Sequence, residues 1–236
     1  MDRVVIAQAC LDALGNGTYL ELGVNTGNSF IPIKAKRKWG VDPEYVLTGR
    51  RLVKYAVFSW LGIKEERLFR LTSDEFFLTK GKALATGGVD VCLVDGLHTY
   101  EQSLRDVLNI LPYLKPKGVI LMHDCNPSTE LMALPAADIY EMIKQGIPGW
   151  TGAWSGDVWK AIVHLRSLPN DVSAFTLDCD TGVGVVTKSG SRNRLPYAEA
   201  EIRKMDYKVL AEHRRALLGL QPQEYFQEFL RGHFDK

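Results

Sequence analysis

The chain has 236 residues, 46% of them hydrophobic, and its 29 lysines and arginines against 28 aspartates and glutamates leave a net charge of +1. That length suits one α/β domain, alone or with an appended helical segment, and is ample for a substantial core. The near-neutral balance gives no general attraction to nucleic acid or to a membrane, and no apolar run is long enough to span a bilayer.

The four cysteines, Cys10, Cys92, Cys125 and Cys179, form no C-x-x-C pair, so reduced thiols in an intracellular protein are the simplest expectation. Met1 to Leu14 carries early charges and no long apolar core, unlike a secretory signal. A soluble, cytoplasmic protein is expected. Internal repeats and low-complexity tracts are not found.

Residues 3–14 place Val4, Ile6, Ala7, Leu11 and Leu14 in a helical stripe that ends near Gly15. Thr18 to Leu22 reads as a buried strand holding a carboxylate, Glu21, and the loop Gly23-Val24-Asn25-Thr26-Gly27-Asn28-Ser29 follows. A glycine directly after a strand lets the backbone turn sharply and lets a ligand approach the main chain. Gly27 is expected to open a short helix over 27–35, whose free N–H groups would favour a polar or anionic group. A dinucleotide fingerprint would need a second glycine where Asn25 stands. The E-x-G-x-x-x-G pattern instead resembles motif I of the class I S-adenosylmethionine (SAM) methyltransferases. The resemblance implies that Glu21, Gly23, Asn25, Gly27 and Ser29 serve the amino-acid end of SAM, whose ammonium suits an acidic strand end. A plain tight β–α turn is the alternative.

The run Lys34, Lys36, Arg37, Lys38 reads as a solvated helix end before it reads as a binding patch. Trp39 to Pro43 reads as a second strand ending in Asp42, about twenty residues past the loop, where a carboxylate can take the two hydroxyls of a ribose. An ordinary turn aspartate before proline competes with that reading. Residues 50–61 are helical in pattern, and Arg67 to Leu71 is the expected third strand. Thr72 and Glu75 have capping-box spacing. The same resemblance implies that Ser73 and Asp74 lie at the adenine ring.

Val89 to Val94 is a fourth strand, apolar enough to be buried on both faces, and it runs into Asp95-Gly96-Leu97-His98-Thr99-Tyr100. Thr99 and Gln102 suggest a second capping box. Leu104, Val107, Leu108 and Leu111 then line a helix that stops near Pro112. Lys115 to Gly118 reads as a turn, and Val119 to Met122 as a fifth strand ending in His123-Asp124-Cys125-Asn126. Residues 129–146 look helical, and Trp154 to Lys160 leads into a helix through about Arg166. Val172 to Leu177 and Val183 to Thr187, joined by Asp178-Cys179-Asp180-Thr181-Gly182, read as an antiparallel hairpin. Residues 197–235 form a charged helical tail, and its late apolar face (Tyr225, Phe226, Phe229, Leu230) is expected to pack on the domain or on a second copy in a homo-oligomer.

The predicted fold is therefore a Rossmann-like, doubly wound α/β sheet, mainly parallel, with a C-terminal antiparallel hairpin strand and a helical tail. That is also the arrangement of the class I methyltransferases. Ligands bind such sheets beyond the carboxyl ends of the strands, where Glu21, Asp42, Asp95, His98 and Asp124 are expected to converge. Strands four and five, carrying Asp95 and Asp124, are expected as sheet neighbours of strand one. Two carboxylates near one point repel unless a proton or cation intervenes, and oxygen ligands suit Mg²⁺.

The D-G-x-H-x-Y unit at 95–100 and the H-D pair at 123–124 resemble a SAM methyltransferase family containing macrocin- and mycinamicin-type sugar O-methyltransferases; W-S-G-D-V-W-K at 154–160 is similar too. That resemblance implies Asp95 and Asp124 at a divalent cation (Mg²⁺ or Mn²⁺), His98 as general base, and a small-molecule or sugar acceptor, while the net charge of +1 leads to the expectation of no nucleic-acid or membrane partner. Asp95 is also expected beside the cofactor. His123 stands where those enzymes have a second carboxylate and is carried as a third metal ligand, although imidazole serves Mg²⁺ poorly. Asp157 is either a further ligand or substrate contact or the cap of the following helix. Trp150, Trp154 and Trp159 are either a substrate wall or core. The resulting division is a SAM-binding domain over 1–190, with a substrate-side insertion at 128–168, and a helical extension over 191–236. A nicotinamide-dependent oxidoreductase and a non-catalytic SAM-binding protein are the rival readings.

Overall fold

The structure is a computed structural model that describes residues 1–47, 49, 53, 57, 65–169, 172–190 and 193–235. Its described strands make a mixed sheet, mostly parallel, with helices between them. The chain clusters into two compact units: Met1–Gly96 with Asp106–Leu121 and Phe229–Lys236, and Leu97–Arg105 with Met122–Glu228. No helix is long and apolar enough to cross a membrane among the described residues.

In the first unit, β1 (Thr18–Leu22) lies between β2 (Arg37–Val41) and β4 (Val89–Val94), parallel to both, and β3 (Glu65–Phe69) runs parallel along β2. Strand β5 (Leu114–Met122) follows β4 in the order, so β4 separates it from β1. The expectation that strand five neighbours strand one is therefore corrected. Every residue of β1 and β4 is buried, as an apolar strand covered on both faces must be. Helix α1 (Arg3–Ala13) starts where Asp2 accepts a hydrogen bond from the Val5 N–H, and it buries Ile6, Ala7, Cys10 and Leu11. Helix α2 (Ser73–Thr79) begins with the expected capping box, in which Thr72 and Glu75 each hold the other's backbone N–H.

Several expected boundaries move. Residues 27–35 form turns rather than a helix. Pro32 offers no N–H, and the Lys38 ammonium takes the carbonyls of Phe30 and Ile33. That lysine is buried against Glu66, and Arg37 is held by the carbonyls of Thr86 and Gly88. Half of the basic run, Arg37 and Lys38, thus sits on β2, and only Lys34 and Lys36 ahead of it are exposed. Strand β2 begins two residues before the expected Trp39, and β3 is shifted two residues earlier than read. Strand β5 begins at Leu114, so the expected turn at 115–118 is strand. The helix read over 50–61 lies outside the described residues, apart from Val53 and Val57.

The second unit is built on β6 (Ser173–Asp178) and β7 (Val183–Thr187), the antiparallel hairpin the sequence predicts. A two-residue strand, β8 (Gln221–Pro222), pairs parallel with the far side of β6. Helix α5 (Trp159–Ser167) buries Trp159, Ala161, Ile162, Val163 and Leu165. Helix α3 (Tyr100–Ile110) begins in this unit at Tyr100, and Thr99 accepts the Gln102 N–H at 3.4 Å. The helix expected over 129–146 is confined to α4 (Ile139–Gln145), with Asp138 as its cap and Pro135 ahead of it. The tail is three helices: α6 (Glu199–Lys204), α7 (Tyr207–Leu218) and α8 (Tyr225–Phe234). Asp206 caps the start of α7 and Gly219 ends it in the left-handed region. Tyr225 lies edge-on to Phe175, 5.5 Å between ring centres, so the late apolar face packs at least partly on its own chain.

Candidate functional site

The first unit presents the loop after β1. The Gly23 N–H continues the ladder to the Val41 carbonyl, and the chain then turns away at φ +95°. A Cβ on Gly23 would stand 2.0 Å from the carbonyl oxygen of Asp95, so the two strand ends meet backbone to backbone and only glycine fits. Asn25 occupies the left-handed region at φ +46°, a conformation asparagine tolerates. Its N–H donates to Asp42 Oδ2 at 2.7 Å, while Oδ1 of the same carboxylate takes the Glu44 N–H at 2.7 Å. Asp42 thus shapes both its own turn and the loop after β1, and its side chain is only half-buried. Gly27 closes a tight turn onto the Val24 carbonyl and opens no helix, so the proposed helix N-terminus is absent from this loop.

Glu21 lies beneath the loop. It is fully buried, with one carboxyl oxygen 2.6 Å from the Tyr19 hydroxyl and the other 2.7 Å from the Ser29 hydroxyl. Burial pushes its pKa up to about 8, against the lowering effect of those two hydrogen bonds, and the nearby Asp95 charge raises it further. The carboxyl and Ser29 therefore brace the turn from inside, and neither lines its open face. Ser73 and exposed Asp74 lie in the first turn of α2, and neither belongs to the Thr72–Glu75 cap. Asp95, at the end of β4, forms an ion pair with Arg3 of α1, Nε to Oδ2 3.0 Å. The sequence carries no local signal for that partner, 92 positions away.

The second unit gathers a separate polar cluster around Asp124, itself in the left-handed region at φ +60° and almost wholly buried. Its Oδ1 accepts the hydroxyls of Ser155 and Thr181, each at 2.8 Å. Its Oδ2 faces two imidazoles, His98 Nε2 at 3.3 Å and His123 Nδ1 at 2.9 Å. His98 Nδ1 stands 2.9 Å from the Trp154 carbonyl oxygen. A carbonyl can only accept, so Nδ1 carries the proton and Nε2 of the neutral ring is the basic nitrogen. That lone pair then points at a carboxylate oxygen, an arrangement that needs a proton or a cation between them. The Asp124 carboxylate fits a divalent cation on these grounds. His123 does not: its Nδ1 faces Asp124, and its Nε2 faces the Thr181 hydroxyl at 3.1 Å and Asp180 at 3.6 Å.

Asp157 caps a helix, but the one before it in sequence. Its Oδ1 accepts the Tyr100 N–H at 2.7 Å at the head of α3, and Oδ2 pairs with Lys160. The three tryptophans part company: Trp159 is core, Trp150 bonds its own loop at the Ala153 carbonyl, and Trp154 alone lies beside His98, ring centres 5.4 Å apart. Ser155 and Thr181 are the members of the cluster that the sequence reading passes over. A hydroxyl between two charged motifs carries no periodicity by which to find it.

Residues 20–125, a little under half of the chain, match the family model of a methyltransferase domain. No curated protein matches the chain. Among solved structures, the chain is similar to the SAH-bound methyltransferase PaMTH1 of Podospora anserina, with 16% identity, a TM-score of 0.48 and 79% of each chain covered. A Corynebacterium glutamicum protein is also 16% identical, with a TM-score of 0.48 and coverage of 81% of this chain and 83% of that one. The MycE methyltransferase of the mycinamycin biosynthetic pathway, in complex with Mg and SAH, is 15% identical with a TM-score of 0.43, covering 78% of this chain and 48% of that one. The mixed, mostly parallel sheet is the one expected from the sequence, and its first strands carry the match to a methyltransferase domain.

Proposed function

We propose that the chain transfers the methyl group of SAM to a hydroxyl oxygen of a small molecule or sugar, assisted by a divalent cation. The observation that carries the chemistry is the His98 ring, whose Nδ1 proton is committed to the Trp154 carbonyl, so that its basic nitrogen is Nε2, 3.3 Å from Asp124 Oδ2. In this reading the backbone of Gly23, Asn25 and Gly27 receives the amino-acid end of SAM, Asp42 the ribose hydroxyls, and Ser73 and Asp74 the adenine ring. Asp95 borders the same loop end through its contact with Gly23.

Methyl transfer from a sulfonium is an in-line displacement, so the protein must align the acceptor oxygen and dispose of its proton. A neutral hydroxyl is a poor nucleophile at neutral pH. His98 Nε2 accepts its proton, and Asp124 Oδ2 stabilises the imidazolium that results. A divalent cation, when bound at Asp124, would lower the pKa of that hydroxyl.

The test is a calorimetric titration with SAM, S-adenosylhomocysteine (SAH) and NAD, followed by a screen of SAM turnover against glycosides and catechol-like compounds. SAM and SAH should bind well and NAD much more weakly, because Asn25 stands where a dinucleotide loop needs glycine. Tighter binding of NAD would overturn the reading. SAM binding with no turnover across the panel would favour a SAM-binding protein without catalysis.

A further inference from the structure

The tip of the β6–β7 hairpin is a turn whose two central residues, Asp180 and Thr181, both have positive φ, +48° and +57°. The Gly182 N–H closes it onto the Cys179 carbonyl at 2.8 Å, which makes a type I′ turn. Such turns match the twist of the flanking strands and favour Asn, Asp and Gly at both centres. Asp180 obeys that preference. Thr181 does not, because a β-branched residue in the left-handed region is a genuine outlier. Glycine would hold the same backbone without strain, so the hairpin alone gives no reason for threonine.

The reason lies in what the tip touches. The Cys125 and Asn126 N–H groups donate to the Gly182 and Thr181 carbonyls, 3.0 and 2.8 Å, so the tip is bolted to the segment leaving β5. Gly182 lies so close that a Cβ there would meet the Asn126 backbone at 2.4 Å. From that fixed position the Thr181 hydroxyl stands 2.8 Å from Asp124 Oδ1 and 3.1 Å from His123 Nε2. It is also 2.6 Å from the Asp180 carbonyl, but the charged carboxylate is the stronger acceptor. With its proton on the Asp124 carboxylate, the hydroxyl keeps its lone pairs for an N–H at His123 Nε2, and so ties the carboxylate to the imidazole. Strain of this kind persists where surrounding contacts over-determine it, and it gathers at functional sites.

We infer that Thr181 is a positioning residue: its hydroxyl, carried on a strained hairpin tip, ties Asp124 to His123 and so sets the orientation of Asp124 for cation binding, at the expense of the hairpin's own stability. The inference rests on the cation-assisted reading above and deepens it. A hydrogen-bonding partner behind a metal-binding carboxylate is commonly worth about 10–100-fold in metal affinity.

The experiment compares wild type, Thr181→Gly and Thr181→Ser for Mn²⁺ binding by calorimetry in the SAH-loaded protein, for SAH affinity, for thermal midpoint and for the ¹⁵N shifts of the His123 ring. Thr181→Gly should keep or raise the thermal midpoint, bind SAH normally, lose about 10–100-fold in Mn²⁺ affinity and shift the His123 nitrogens. Thr181→Ser should restore both the affinity and the shifts, since it retains the hydroxyl. A Thr181→Gly protein that binds Mn²⁺ as wild type does, or is less stable than wild type, overturns the inference. So does a Thr181→Ser protein as weak as the glycine variant. If wild type takes up no Mn²⁺, the cation reading itself fails and the ring shifts decide: unchanged in Thr181→Gly, they refute the positioning role; moved there and restored by serine, they sustain it.

Discussion

His98 and Trp154 are joined twice, by the 2.9 Å contact from the ring Nδ1 to the main-chain carbonyl and by the tilted packing of the two rings. The backbone of Trp154 thus selects the tautomer while its indole holds the plane of the imidazole. His98→Ala should lower turnover by about 10²–10⁴-fold, the usual contribution of a general base, and leave SAH affinity unchanged. Initial rates alongside SAH calorimetry check this. A loss of SAH binding of the same size would mean that the ring supports the cofactor rather than the proton transfer.

Chelation separates the cation from the cofactor. Exhaustive EDTA treatment should abolish turnover while SAM binding is nearly intact, and Mn²⁺ or Mg²⁺ should restore it. Asp124→Asn should behave like the chelated protein, because asparagine tolerates the left-handed backbone at φ +60° and keeps an oxygen for the Ser155 and Thr181 hydroxyls. Full activity after chelation would assign Asp124 to hydrogen bonding alone.

Asp42 already serves two N–H groups, of Asn25 and Glu44. If it also receives the ribose, Asp42→Ala should weaken SAM binding by about 1–3 kcal/mol, the usual loss for a charged hydrogen-bonding partner. A folded variant with unchanged affinity would make Asp42 a turn residue and nothing more.

The buried Glu21 carboxyl makes stability depend on pH. Its folded pKa is raised to about 8 from an ordinary 4.5, so the folded state keeps a proton that the unfolded chain gives up. The stabilisation from this group is complete below 4.5 and is lost as pH rises through about 8. Glu21→Gln, which cannot ionise, should flatten the stability curve across that window in denaturant melts at several pH values. An unaltered pH profile would show that the Tyr19 and Ser29 hydroxyls support the ionised form after all.

What the sequence made legible was local. The E-x-G-x-x-x-G loop, the Thr72–Glu75 box, the unbroken apolar run of β4 and the D-C-D-T-G hairpin each announce themselves within a few residues, and each is where it was expected. The failures are tertiary. Residues 27–35 lose their expected helix to a lysine from the next strand, and β5 starts early although Pro116 and Gly118 look like a turn. The left-handed Asp124 and the hydroxyls of Ser155 and Thr181 that hold it come from three distant segments. Their roles exist only once those segments meet. The tail is the intermediate case: Asp206 and Gly219 mark the ends of α7 openly, but the alternation that would mark a two-residue strand does not exist.

That short strand has a consequence for how the molecule behaves in a crowd. Without β8, the outer side of β6 would be an open row of N–H and C=O groups, a template on which another chain could add. Gln221 and Pro222 cover its end, and a proline has no N–H to pass the pattern on to a further strand. The tail thereby covers one end of the sheet's outer strand, and a version cut back before Gln221 should self-associate more readily than the full chain.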